Sequence, residues 1–313
     1  MSDFFLIFIT VCLPILILAG LGWGLDRVFS LDLKSLVKLN IYLFVPAFIL
    51  TRLSSSDLEG EIGLKIVAFT LIVIFFMGVL SWLVSRLGGS EPSERYSLML
   101  STMIYNSGNW GIPLMTLAFG DLGGVIQVFV LATMNVTSFS LGVFLANAGS
   151  EDRKGWIRPI LKQPSPWAVI LALVLRHFGN PLEQVEFLWV PLSYLAGALV
   201  AFALLTLGVQ LSKTRPPAVR GNLSYSLAIR LLGGPLFATA LTWLMGFEGP
   251  VAAILIVGAA APTAVNTALL AHEFKADSRF AAAAVFYSTL LASLVVTGVL
   301  AALRSGLIPW AIP

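Results

Sequence analysis

Charge is what this chain has least of. Only 11% of its 313 residues are Asp, Glu, Lys or Arg, where soluble domains carry about 25%. With 58% of the residues hydrophobic, the polar complement is too small to clothe a water-soluble globule. Cysteine occurs once, as Cys12 in the first apolar run. No intrachain disulfide can form, and the thiol reads as a small packed hydrophobe. The two histidines, His177 and His272, sit near the ends of apolar runs, so neither reads as a metal ligand or a central proton relay. All sixteen acidic residues fall in loops or near the ends of runs, which argues against a proton relay built on embedded carboxylates. There is no His-Glu-x-x-His pattern, no aspartate pair and no Ser–His constellation within an apolar run, so an enzyme is not expected. No loop is long enough to fold a soluble effector domain.

What the chain does have is apolar runs of about twenty residues, the length a helix needs to cross a bilayer, and a mean hydropathy of +0.92. The runs exceed the roughly ten-residue alternating strands of a membrane barrel. The reading is an all-α polytopic membrane protein whose surroundings are the lipid bilayer. The net charge of +3 does not point to nucleic acid, because the basic residues lie in short loops between runs. Asp3 replaces a basic leader segment and no small-residue cleavage site follows, so the first run is expected to be a retained helix.

Ten spans are expected, at about Phe4–Trp23, Ser35–Leu53, Ile62–Arg86, Arg95–Phe119, Gly124–Ala148, Pro166–Phe178, Leu188–Leu211, Leu223–Met245, Val251–Phe274 and Arg279–Leu303. Between the fifth and sixth lies the most hydrophilic stretch, 149–164, which divides the chain into halves 1–148 and 165–313. With alternating spans, fourteen Lys and Arg fall on one side of the membrane and four on the other, with Arg230 left inside a span. The richer side should be cytoplasmic, with the linker there and both termini outside, in the cell membrane. Gly20, Gly22 and Gly24 are expected to serve close helix packing, and Pro46 and Pro235 to kink their helices. Arg230 lies about two turns from the cytoplasmic end of its span. Its long stem is read first as reaching the interface, and otherwise as attracting an anion.

The fourth span breaks its own pattern. Tyr105 is followed by Asn106, Ser107, Gly108, Asn109, Trp110, Gly111, Ile112 and Pro113. In hydrocarbon an unpaired amide or carbonyl costs several kcal/mol, so irregular backbone persists only where it is buried in protein or lines a wet cavity. Pro262, Thr263 and Asn266 interrupt the ninth span in the same way. Leu114–Phe119 can be laid on Leu269–Phe274, each soon followed by an aspartate, Asp121 or Asp277, which puts the two breaks in corresponding places. Five spans per half bring the second half into the membrane from the opposite side, the plan of an inverted repeat with a site where broken helices cross. Backbone N–H groups around 107–112 and 263–266, with the Asn109 and Asn266 amides, suit a small organic anion. Asn135 sits among hydroxyls at the middle of the fifth span and faces either this site or another helix. Tyr287 and Ser288 of the tenth span are further candidates.

The Asn106–Leu114 run resembles the auxin efflux carrier family of membrane transporters. So do the Pro262–Asn266 break followed by Ala271 and Phe274, and the run Ser288–Ser293. The family includes plant auxin carriers and bacterial members linked to carboxylates such as malate and malonate. The resemblance implies a scaffold of spans one, two, six and seven, and a moving part made of the other six. It implies elevator-like motion and a homodimer formed through the scaffold. It places substrate at Asn106, Gly108, Asn109, Gly111, Pro113, Pro262 and Asn266. No cofactor is expected. Sodium coupling through carbonyls and hydroxyls stays open beside uncoupled transport, and an anion channel or a non-transporting sensor or scaffold stays as the alternative.

Overall fold

The computed structural model describes residues 3–147, 161–214, 221–273 and 276–312. Most of the hydrophilic linker, with Arg153, Lys154 and Arg158, lies outside the described residues, as do Arg215, Arg220, Phe274 and Lys275. Everything regular in the described residues is helical. The helices are α1 (Asp3–Phe29), α2 (Leu33–Ser54), α3 (Gly60–Leu87), α4 (Pro92–Met103), α5 (Ile112–Asn147), α6 (Pro164–His177), α7 (Glu186–Lys213), α8 (Asn222–Leu244), α9 (Gly249–Gly258), α10 (Asn266–Glu273) and α11 (Ser278–Arg304).

Seven helices among the described residues are long and apolar enough to cross a membrane. The division into ten spans is not reproduced as ten unbroken helices, and the reasons are local. The fourth and ninth apolar runs are each cut in two, and the sixth gives a helix of only 14 residues, about 21 Å at 1.5 Å per residue. α5 joins the end of the fourth run to the fifth through Gly120, whose φ of +63° and ψ of −146° suit glycine alone. A Cβ on Gly123 would lie 2.9 Å from Phe119 Cβ and closer still to Met115 O. Residues that near cannot belong to one straight helix, so the arm 112–119 turns back against the arm 121–147.

Four helices contain a widened π turn, at Phe8–Cys12, Asn40–Phe44, Ser107–Gly111 and Ile229–Gly233. Each ends two residues before a proline: Pro14, Pro46, Pro113 or Pro235. Proline lacks an N–H, and its ring crowds the carbonyl four residues earlier, so a looser turn there relieves the clash. The kinks expected at Pro46 and Pro235 take this form.

Packing sorts the helices into two groups. α1 lies along α7, and α2 packs on α6 and α7. The Phe44 and Phe202 rings stack at 4.3 Å between α2 and α7. α1 and α7 touch backbone to backbone: a Cβ on Gly22 would fall 2.9 Å from Leu205 Cα, and one on Gly208 would fall 2.7 Å from Trp23 N. Small residues permit that approach. Gly20 and Gly24, expected to share the role, have nothing within 4 Å. In the second group α3 packs on α4 and α5, α8 on α9, and α11 on α4 and α10. Phe76 and Phe237 stack at 3.6 Å between α3 and α8.

Candidate functional site

The two interruptions meet. After α4 ends at Met103, Ile104 is extended, with φ −101° and ψ 108°, and Asn106 caps the π turn by accepting the Asn109 N–H on Oδ1 at 3.1 Å. Pro113 then follows in α5, and the π turn before it relieves the crowding of its ring. After α9 ends at Gly258, residues 259–265 run without helix until Asn266 opens α10. Tyr105 and Thr263 form an isolated antiparallel bridge. The Asn106 N–H donates to Pro262 O at 2.8 Å, and the Ala264 N–H donates to Ile104 O at 3.0 Å. Backbone groups freed by breaking each helix are thus satisfied by the other break, as burial away from water requires.

Side chains complete the pairing. Thr263 Oγ1 donates to Ser101 O at 2.8 Å, and the Thr263 N–H donates to Ser288 Oγ at 3.0 Å. Gln127 Nε2 from α5 donates to Ser107 O at 2.8 Å. Gly111 makes room for that amide, since a Cβ there would lie 3.0 Å from Gln127 Cδ.

Beside the crossing is a cavity of about 90 Å³, room for several waters or a solute of a few heavy atoms. Asn106, Gly108, Asn109, Asn135 and Asn266 line it, with Asn40, Ser138, Ser165 and Gln210. Among the described residues that line it there is no Asp, Glu, Lys, Arg or His. Asn40 Nδ2 donates to Asn109 Oδ1 at 2.5 Å, and Asn109 Nδ2 donates to Gln210 Oε1 at 3.4 Å. This chain of amides ties the fourth-run break to α2 and α7, across the boundary between the two groups of helices. Asn106 Nδ2 and Asn40 Oδ1 are buried without a hydrogen-bond partner among the described residues. The Asn106 amide has a fixed sense, because Oδ1 takes a backbone N–H, so its free atom is a donor.

Comparison with known proteins places the chain that carries this crossing and its amide-rich cavity. The sequence pattern of the family described as "Membrane transport protein" matches residues 7–300. The chain belongs to the auxin efflux carrier family of membrane transport proteins. It is 26% identical over 283 residues to a protein of Methanothermobacter thermautotrophicus named "Uncharacterized transporter", covering 89% of this chain and 93% of that one. It is also 25% identical over 286 residues to a Rhizobium meliloti protein named "Putative malonate transporter", covering 86% of each. The auxin efflux carrier family is a class of membrane transporters and not of enzymes.

In this family member the residues expected at the site divide. Asn106, Gly108, Asn109, Asn135 and Asn266 border the cavity; Gly111, Pro113, Pro262, Thr263 and Ser288 build the crossing behind it. Asn135 Nδ2 donates to Ser165 Oγ at 3.2 Å, which links α5 to α6. Tyr287 lies off the cavity with its ring edge-on to Phe286. Among the described residues no three His, Cys, Asp or Glu side chains gather as a metal site would need. Sequence reading passed over Asn40, Gln127 and Gln210. Each is a lone amide inside an apolar run, and a search for such amides would have found all three. Arg230 does not reach the interface as expected. It is fully buried, because its guanidinium is held by backbone carbonyls in the bundle.

Proposed function

We propose that this carrier is a secondary transporter that moves a small organic anion by alternating access, with the substrate held at the crossing of its two broken helices. The observation that carries the reading is the antiparallel pairing of the breaks at Tyr105 and Thr263 beside a cavity lined by amides, with no carboxylate among the described lining residues. Helix N-termini carry partial positive charge, and two of them, at the Ser107 turn and at Asn266, flank the cavity. Asn106 Nδ2 adds a free donor. The malonate in the name of the Rhizobium relative fits this chemistry, and auxin-like monocarboxylates and other dicarboxylates belong to the same class.

The ten spans expected from the sequence are read as two inverted repeats of five, 1–148 and 165–313, related by a two-fold axis in the membrane plane. Two features support this. The bridge is antiparallel, and α4 and α9 end at Met103 and Gly258, positions that coincide when Leu114–Phe119 is laid on Leu269–Phe274. The extensive packing of α1, α2, α6 and α7 on one another supports a scaffold, through which a homodimer forms, and a body that moves elevator-like against it. The linker is cytoplasmic and the termini are outside, from the distribution of Lys and Arg.

The test is flux into proteoliposomes of labelled malonate, malate and indole-acetate. Saturable flux of at least one is expected, and Asn109→Ala and Asn266→Ala should each abolish it while the protein still inserts and purifies. Near-wild-type transport in both variants would sink the site, and single-channel conductance in place of saturation would replace the carrier with a pore.

A further inference from the structure

Among the described residues one cation is fully buried at the crossing, outside the lining of the cavity. Arg230 projects from the π turn of α8. Its Nη1 donates to Thr102 O at 2.6 Å, and its Nη2 donates to Ala259 O. The guanidinium carbon stands 4.9 Å from the centroid of the Tyr105 ring, a cation–π distance, and Tyr105 itself borders the cavity. Thr102 belongs to the last turn of α4, and Ala259 is the residue that caps α9. One guanidinium therefore holds the carbonyl ends of both interrupted helices. Gly234 lets α8 come close enough: a Cβ there would lie 2.5 Å from Ala259 O and closer still to Nη2.

Such a charge is costly to keep out of water unless it is paired, and among the described residues no carboxylate forms a salt bridge with it. What offsets the cost is the pair of helix C-termini, each worth roughly half a negative charge. Two ends and one guanidinium nearly cancel. The two N-terminal ends facing the cavity, each roughly half a positive charge, are then left to a ligand. In transporters built from discontinuous helices, unwound carbonyls and half-helix C-terminal ends are the groups that coordinate a coupling Na⁺ or proton. Here one carbonyl at each of those ends is already taken by the guanidinium.

We infer that Arg230 is a resident cation of the crossing, bound where a coupling cation would otherwise bind, so that anion binding and transport need no sodium. Arg230 is on this view a positioning residue. It fixes both broken helices and leaves the positive field of their partners to the substrate. The inference rests on the transporter reading for its substrate, though not for its cation chemistry.

The experiment uses the purified full chain with malonate and indole-acetate as probes, in Na⁺, K⁺ and N-methylglucamine salts. Wild-type affinity and thermal stability should be the same in all three. Arg230→Lys should keep binding within about tenfold, whereas Arg230→Met, of similar length without charge, should lose roughly 100-fold, the equivalent of losing one or two charged hydrogen bonds. Arg230→Ala should regain thermal stability and binding on addition of millimolar guanidinium or Na⁺, which leave the wild type unchanged. A merely structural side chain would show no such cation-specific rescue. Wild-type affinity or stability that rises with Na⁺ would overturn the inference, as would unimpaired binding in Arg230→Met. If the alanine and methionine variants do not fold, the sodium comparison on the wild type and the lysine variant still decides. If no carboxylate binds the wild type, the substrate reading fails, and the stability response to Na⁺ and guanidinium still tests Arg230.

Discussion

Asn106 caps a turn with one side-chain atom and, in the proposed site, binds the ligand with the other, and a pair of substitutions can separate the two. Its Oδ1 caps the π turn through the Asn109 N–H at 3.1 Å. Its Nδ2 is buried and unpaired at the cavity. Asn106→Ala removes both atoms. Loss of a cap costs about 1 kcal/mol, and loss of a donor to an ionised ligand costs about 1.5–3 kcal/mol of binding. At 1.4 kcal/mol per decade, the second figure is roughly a 10- to 150-fold rise in Kd. Asn106→Ser keeps a capping oxygen as effective as that of asparagine but lacks the amide that reaches the cavity. The serine variant should therefore match the wild type in thermal stability and still bind the transported carboxylate 10- to 150-fold more weakly, roughly, since the lost hydrogen bond is the same. The alanine variant should lose both. Thermal denaturation in detergent and titration calorimetry measure the two quantities on one preparation. A serine variant that binds as tightly as the wild type would refute the assignment of Nδ2 to the ligand. Affinity that fell only in step with stability would refute it equally.

Two further outcomes are expected. Gly208→Ala should destabilise the fold by about 3 kcal/mol or more, an overpacking cost, because its Cβ would sit 2.7 Å from Trp23 N; Gly197→Ala, with open space at its Cβ, should leave the melting temperature unchanged. Arg52 of α2 and Asp121 at the α5 turn form a 2.6 Å ion pair between the two groups of helices, so a cysteine pair at these sites joined by a short bifunctional thiol reagent should abolish flux and leave carboxylate binding intact. Transport at the wild-type rate by the cross-linked protein would rule out motion of one group past the other.

How much of this could be read from the sequence depended on whether a feature was local. Apolar run length gave the membrane helices, and clustered Gly, Asn and Pro gave both breaks, because helix failure is written in the residues that fail. The place where chain 112–147 reverses was nearly legible too, since the expected boundary of Phe119 and Gly124 brackets Gly120. What distant residues do for one another was not legible. Nothing near Asn40 in the sequence says that it will meet Asn109, and nothing near Arg230 says that carbonyls will hold it. A lone arginine in an apolar span is expected to reach for water; this one is kept by two helix ends that only the tertiary fold brings together.

The same distinction supports the proposal that the substrate binds on the amide side of the crossing. Interrupting two helices releases N–H and C=O groups that a membrane interior will not tolerate unpaired. On the carbonyl side three groups are answered from within the chain, Thr102 and Ala259 by Arg230 and Ser101 by Thr263 Oγ1. Between the breaks the bridge answers both kinds. Some buried side-chain atoms away from the cavity also lack partners, among them Trp110 Nε1, Ser101 Oγ and Thr267 Oγ1. Among the described residues that line the cavity, the buried unpaired side-chain atoms are Asn106 Nδ2 and Asn40 Oδ1, one on each group of helices. A ligand that accepts from the first and donates to the second would close the accounting and span the two groups at once. A carboxylate bearing a hydroxyl, an N–H or a second, protonated carboxyl has both functions. A simple carboxylate such as acetate has only the acceptor and should bind more weakly than its 2-hydroxy analogue, glycolate. Equal affinity for the pair would remove Asn40 from the site and leave Asn106 as its side-chain donor.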